Sequence, residues 1–147
     1  MPFMEWNSSF ELGIHEFDEH HKHLVYLLNL THDAITCGAE HDELGAVIDE
    51  LVEYAAYHFS AEEGWMADNR YPGLPEHIGE HTRFTRWIIK VQDDFHNGKA
   101  WVAQEVLTFL NRWLTDHILR TDAKYGRFTN DVVLVMCDMA ADTTFVA

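Results

Sequence analysis

The chain has 147 residues, 47% hydrophobic and 24% charged, which is the balance of one globular domain long enough to bury its own core. Its formal net charge is −15, from 25 acidic against 10 basic residues, and such a surface repels nucleic acid and anionic lipid, so neither is an expected partner. Cys37 and Cys137 form neither a CxxC motif nor a disulfide framework, the first residues lack a basic and apolar leader, and no apolar run approaches the roughly 18 residues of a membrane span. A cytoplasmic monomer is the expectation.

An irregular arm is predicted from Met1 to about Phe17, carrying Trp6, Phe10 and Ile14 and draped over the rest. Four helices follow. The first runs from about Asp18 to Cys37, with His21, Leu24, Leu28, Thr31 and Ile35 as a candidate inward stripe and Gly38 as its C-terminal cap. The second runs from about Asp42 to Met66, its stripe Leu44, Ile48, Leu51, Ala55, His58 and Glu62. Asn69, Pro72, Gly73 and Pro75 break the chain. The third helix spans about Pro75 to His96, with His77, His81, Phe84, Ile88, Val91 and Phe95 inward, and Asn97-Gly98 closes it. The fourth spans about Trp101 to Arg120, with Val106, Leu110, Trp113, Leu114 and His117 inward. All four stripes step by three and four, and the connections are short, which predicts an all-α, up-down-up-down four-helix bundle. The apolar stretch Val132 to Met136, flanked by acids, is read as an added element or a fraying end.

The eleven histidines carry the chemistry. His58 with Glu62, and His77 with His81, are i,i+4 pairs that place two donor side chains on one helix face. His117 and Asp122 close the fourth helix, and the first contributes one of His20, His21 and His23, a choice that periodicity leaves open. Any one inward histidine is more often a hydrogen-bonded core residue than a ligand. Together, however, five imidazoles and two carboxylates in one core leave many polar groups to satisfy, and a metal resolves that cost. Asp122 is the awkward member. Five residues after His117, it points away from the same face unless the fourth helix ends or distorts near Leu119 to Thr121.

These residues resemble the hemerythrin family in its single-domain bacterial form. The resemblance runs from about Trp6 to Phe128 and rests on Gly13, the Asp18-Glu19-His20-His21-Lys22 stretch, Asn29, His58-Phe59 before Glu62-Glu63 and Met66, and Tyr71-Pro72. It continues through His77, His81, Phe84, Trp113-Leu114, His117-Ile118, Asp122, Tyr125-Gly126 and Phe128. It implies a di-iron bundle over residues 1–128 and an extension of unassigned role over 129–147. It implies that His21 and His58 serve one iron, that His77, His81 and His117 serve the other, and that Glu62 and Asp122 bridge them. The family usually has glutamine at the position of His20. His20 and His23 are then helix-surface residues, His20 with an option on the shell around the ligands, and His15, His32, His41 and His96 lie on solvated faces.

With those ligands and a solvent-derived oxo or hydroxo bridge, two octahedral non-haem irons keep one open position, on the iron held by His21 and His58. That is where dioxygen is expected to bind. Imidazoles replace most of the carboxylates of ferritin-like sites, which favours holding oxygen over splitting it. The resemblance places Phe59, Trp113, Leu114 and Ile118 around an apolar oxygen pocket; ordinary core packing explains them equally well. Each ligand imidazole is expected to donate its second N–H to an acceptor. Glu63, Glu80 and Asp116 are candidates, with solvated acids as the plainer reading. The functional expectation is reversible oxygen binding without catalysis, for carriage, storage or delivery to an oxygen-consuming protein. The alternatives are an oxygen or redox sensor, a peroxidase-like or nitric-oxide-handling di-iron enzyme, and a zinc or iron-storage protein.

Overall fold

A computed structural model describes residues 2–99 and 102–131. Its four helices are α1 (His15–Thr36), α2 (His41–Asp68), α3 (Leu74–His96) and α4 (Val102–Asp116). α4 leads into a π-helical stretch, His117–Asp122, and the chain stays helical through residues 123–131. α1 packs on α2 and α4, and α3 packs on α2 and α4, which closes the expected antiparallel ring. No described helix is long and apolar enough to cross a membrane. The reading of Val132 to Met136, like the start of the fourth helix at Trp101, lies outside the described residues.

Each helix end has a local cause. Gly38 adopts φ +70°, and the N–H of Ala39 reaches back to the carbonyl of Ala34 at 2.9 Å, the closing bond of a left-handed C-terminal cap. Gly98 closes α3 in the same way, with Lys99 bonded to Asp94 at 3.2 Å. At the end of α2 that conformation falls on Arg70, φ +55°, with Tyr71 bonded to Met66 at 2.9 Å. α1 begins three residues earlier than the periodicity suggests. Glu16 and Asp18 lie in its first turn, where the helix dipole favours acids, and Phe17 is 1% exposed on the face that continues to His21 and Leu24.

The arm is therefore shorter than predicted, but it does lie on the bundle. Met4, Phe10 and Leu12 are buried. Asn29 of α1 clamps it from both sides: its Oδ1 accepts from the Met4 N–H at 2.7 Å and its Nδ2 donates to the Met4 carbonyl at 2.8 Å. Further along, the buried carboxylate of Asp18 accepts from the N–H groups of Leu12 at 2.7 Å and Gly13 at 3.2 Å. Leu12 then rests against Gly126, where a Cβ would stand 3.1 Å from the Leu12 carbonyl.

The interior divides into three layers. A large apolar cluster, including Leu28, Ile48, Ile88, Val106 and Leu110, fills one part of the bundle. A smaller one of Leu12, Phe17, Met66 and Tyr125 lies under the arm. Between them sit fully buried histidines and acids. Two of the histidines assigned to solvated faces, His41 and His96, are exposed as expected and also fasten the far end. The His41 ring stacks on Phe95 at 4.5 Å and donates to the Phe95 carbonyl, and His96 donates to Asp49 at 2.8 Å. Replacing Asn29 with alanine is expected to free the arm and cost about 1–3 kcal/mol in denaturant unfolding. Faster amide exchange confined to residues 3–13 would accompany that loss.

Candidate metal centre

α1, α2, α3 and the end of α4 deliver His21, His58, Glu62, His77, His81, His117 and Asp122 to one place. None of the seven is more than 3% exposed. On an ideal α-helix Asp122 would miss this group. The π turn corrects it: the N–H of Ala123 bonds to the carbonyl of Ile118, five residues back, so side chains five apart come onto one face. His117 Nε2 and Asp122 Oδ1 are 3.0 Å apart. The helix widens where a break or distortion was required, and it does not end there.

The donor atoms fall into two sets that share both carboxylates. One holds His77, His81, His117, Glu62 and Asp122; the other holds His21, His58, Glu62 and Asp122. In the first, Asp122 Oδ1 lies 2.9 Å from His77 Nε2, Glu62 Oε2 lies 3.3 Å from His77 Nε2 and 3.4 Å from His81 Nε2, and the Nε2 atoms of His81 and His117 are 3.1 Å apart. In the second, His21 Nε2 stands 3.1 Å from Glu62 Oε1 and 3.0 Å from Asp122 Oδ2, and His58 Nε2 stands 2.6 Å from Glu62 Oε1. Each carboxylate thus turns one oxygen to each set.

These contacts do not amount to a hydrogen-bond network. Glu62 Oε2, His77 Nε2 and both oxygens of Asp122 are buried without a hydrogen-bond partner among the described residues. Octahedral bonds of about 2.1 Å place neighbouring donor atoms about 3.0 Å apart, which is the spacing most of these pairs show. The residues therefore fit a pair of cations bridged by Glu62 and Asp122. Imidazole and carboxylate together suit divalent first-row metals such as iron and zinc.

Without metal, protons must neutralise the cluster. Burial opposes a charge on His21, yet Asp122 and Glu62 raise its pKa to about 9. Burial likewise opposes a charge on His117, but Asp122 and then Glu80 raise it to about 10. The carboxylates move the other way. Burial pushes Glu62 up, but His58, His21 and His77 bring it well below the ordinary range. Burial and the charge on Glu62 push Asp122 up, and His117 and His21 overcome both.

The surroundings correct two sequence readings. Glu63 and Glu80 are not merely solvated: Glu63 Oε1 accepts from His81 Nδ1 at 2.9 Å, and Glu80 Oε2 accepts from His117 Nδ1 at 2.9 Å and from the Thr121 hydroxyl at 2.8 Å. The bond to His117 holds the Glu80 carboxyl down at about 2. Asp116 is exposed and takes no such part. His20 is not a surface residue either. It is 8% exposed, and its Nδ1 lies 2.9 Å from His58 Nδ1. A helix turn that sends His21 inward sends its neighbour sideways into the α1–α2 seam. His23 is half-buried against Tyr54, with ring centres 4.3 Å apart. The expected acceptor is seen behind His81 and His117, while His21 Nδ1 and His77 Nδ1 are buried with no protein partner among the described residues.

Sequence reasoning gave Tyr125 no role. It is fully buried, and its hydroxyl donates to Glu62 Oε1 at 3.1 Å. Burial and the charges of Glu62 and Asp122 raise its pKa well above the ordinary value, so it stays a donor. Its spacing of three from Asp122 was a usable signal. Of the four predicted pocket residues, Phe59 stacks on His81 at 3.9 Å and Trp113 on His117 at 4.3 Å. Phe59, Trp113 and Leu114, with Leu24, Leu28 and Leu110, help to line an apolar cavity of about 20 Å³. Ile118 is buried in the same core but is not among its walls.

Residues 12–128 match the family described as Hemerythrin HHE cation binding domain. The bacteriohemerythrin of Pseudomonas paraeruginosa is 37% identical, over 85% of this chain and 80% of its own length. That of Methylococcus capsulatus is 32% identical, over 86% of this chain and 96% of its own. A solved wild-type hemerythrin superposes with a TM-score of 0.80 at 31% identity, covering 85% of this chain and 96% of that one.

The raised imidazoles stabilise the metal-free fold below the ordinary histidine pKa of about 6.5, and that contribution is lost as pH rises through about 9 for His21 and about 10 for His117. Metal requires the same imidazoles neutral. The melting temperature of metal-loaded protein should therefore exceed that of metal-free protein by a margin that widens from pH 7 to pH 9. A margin that narrows would contradict these proton assignments.

Proposed function

The chain belongs to the hemerythrin family, and on that premise we propose that it binds dioxygen reversibly at a non-haem di-iron centre. His21, His58, His77, His81 and His117 would hold the irons, with Glu62 and Asp122 shared between the two donor sets, and an oxo or hydroxo group of solvent origin would complete the pair. The observation that carries this reading is the inequality of the two donor sets. Five protein atoms converge on one position and four on the other, so the His21/His58 side keeps room for a small ligand once a solvent bridge is shared.

A di-iron pair supplies electron-rich metal to which dioxygen can bind and from which it can leave. The chain's own residues decide whether it leaves intact. Phe59 and Trp113 lie flat against His81 and His117, and with Leu114 they present carbon toward the cavity. Its volume of about 20 Å³ accommodates one small molecule. Apolar walls hold back the water and protons that would carry bound oxygen away as peroxide. Those walls offer no acid or base, which favours binding over turnover. We read the role as carriage, storage or delivery, in a cytoplasmic monomer.

The test is a visible spectrum of the iron-loaded, chemically reduced protein before oxygen, after oxygen and after degassing. A charge-transfer band that appears with oxygen and vanishes on degassing is expected. A band that persists on degassing would contradict reversible binding and favour sensing or redox chemistry. Replacing Leu114 with alanine should raise the autoxidation rate severalfold, while the cavity it creates costs about 2–5 kcal/mol of stability. An unchanged rate in a variant so destabilised would remove Leu114 from this role.

A further inference from the structure

The two halves of the centre are held from behind by different chemistry. On the three-histidine side, His81 and His117 donate their Nδ1 protons to the carboxylates of Glu63 and Glu80, each at 2.9 Å. On the two-histidine side, His58 Nδ1 faces another imidazole, His20 Nδ1, at 2.9 Å. Two ring nitrogens at that distance share one proton, so one donates and the other accepts. His58 Nε2 lies among the metal-facing atoms, 2.6 Å from Glu62 Oε1, and gives its lone pair there. Its proton must then sit on Nδ1, and His20 Nδ1 must be the acceptor, with the His20 proton on Nε2. His20 Nε2 has no protein acceptor among the described residues and is not one of the fully buried orphaned atoms, so water can take that bond. The ring is held in place by the edge of Phe17 at 5.7 Å, by Tyr54 at 5.9 Å and by Tyr57 at 5.3 Å.

We propose that His20 is a positioning residue that, as a neutral acceptor, fixes the tautomer and orientation of His58 and leaves the two-histidine side less electron-rich than its partner. The inference rests on the metal reading above. A carboxylate behind a ligand imidazole raises its basicity and stabilises the more oxidised metal; a neutral imidazole orients the ligand with much less of that effect. The position with room for oxygen is thus the one whose ligand is backed by no anion, which would favour the reduced metal that remains when dioxygen leaves intact.

Zinc separates this inference from the oxygen chemistry. Native protein titrated against a chelator is expected to take two zinc ions per chain. Histidine 15N spectra of that form should show His58 protonated at Nδ1 and His20 protonated at Nε2 only. His20→Ala should weaken the second zinc about 10- to 100-fold and leave the first, on the three-histidine side, unchanged as an internal control for folding. His20→Gln, which keeps an oxygen acceptor, should restore most of the loss. In iron-loaded protein, His20→Glu should lower the midpoint potential. Native protein that takes fewer than two zinc ions would overturn the metal reading itself. Two zinc ions in the native protein, with either a proton on His20 Nδ1 or an alanine variant that binds both ions normally, would overturn the role of His20 alone.

Discussion

Two carboxylates with no solvent exposure, Glu62 and Asp122, stand at the centre of an apolar bundle. An unpaired buried charge costs a large share of a single domain's stability, so this pair must be neutralised, by protons or by metal cations, wherever the fold persists. Five imidazoles surround them, and imidazole is the one side chain that can meet a carboxylate either as a proton carrier or as a co-ligand of a metal. Much of the rest of the molecule serves that constraint. Apolar clusters seal the centre on both sides, the arm covers the Tyr125 end, and each helix contributes donors from only one face.

The π turn follows from the same need. Four α-helices bring their stripes together at one level, but a strict α-helix through His117 would direct residue 122 elsewhere. One wider turn, His117–Asp122, brings the second buried carboxylate into register and returns to helix at once. Such turns forfeit regular hydrogen bonding and so mark places where function outweighs local regularity. Here the gain is a carboxylate whose two oxygens lie near Nε2 atoms of opposite sets.

Behind the donors lies a second inequality, one of charge. Glu63 and Glu80 lie on half-buried flanks of α2 and α3 and reach the Nδ1 atoms of the buried His81 and His117. On the α1–α2 side the corresponding group is an uncharged ring, His20. The number of donor atoms and the charge behind them thus differ in the same direction. The side with fewer donors is also the side with less negative charge behind it, in keeping with the proposed uptake and release of a neutral diatomic molecule.

Much of this was legible in the chain itself. Helical periodicity, glycine punctuation and the i,i+4 pairs of histidine and acid follow from local geometry, which repeats every few residues and leaves its mark on any sequence that obeys it. Hence the four helices and their order could be read from spacing, and all seven donors from spacing and resemblance together, with resemblance choosing His21 on the first helix and keeping Asp122, the residue whose spacing demanded a distortion. What only the tertiary structure decided are relations between residues far apart in the chain. The form of that distortion, the hydroxyl of Tyr125 on Glu62, and the pairing of His20 with His58 across 38 residues depend on how whole helices rotate against one another. The engagement of Glu63 and Glu80 belongs here too, since an acid on a helix flank is solvated or buried according to its neighbour's position. Periodicity determines which face a residue occupies; packing alone determines what that face meets.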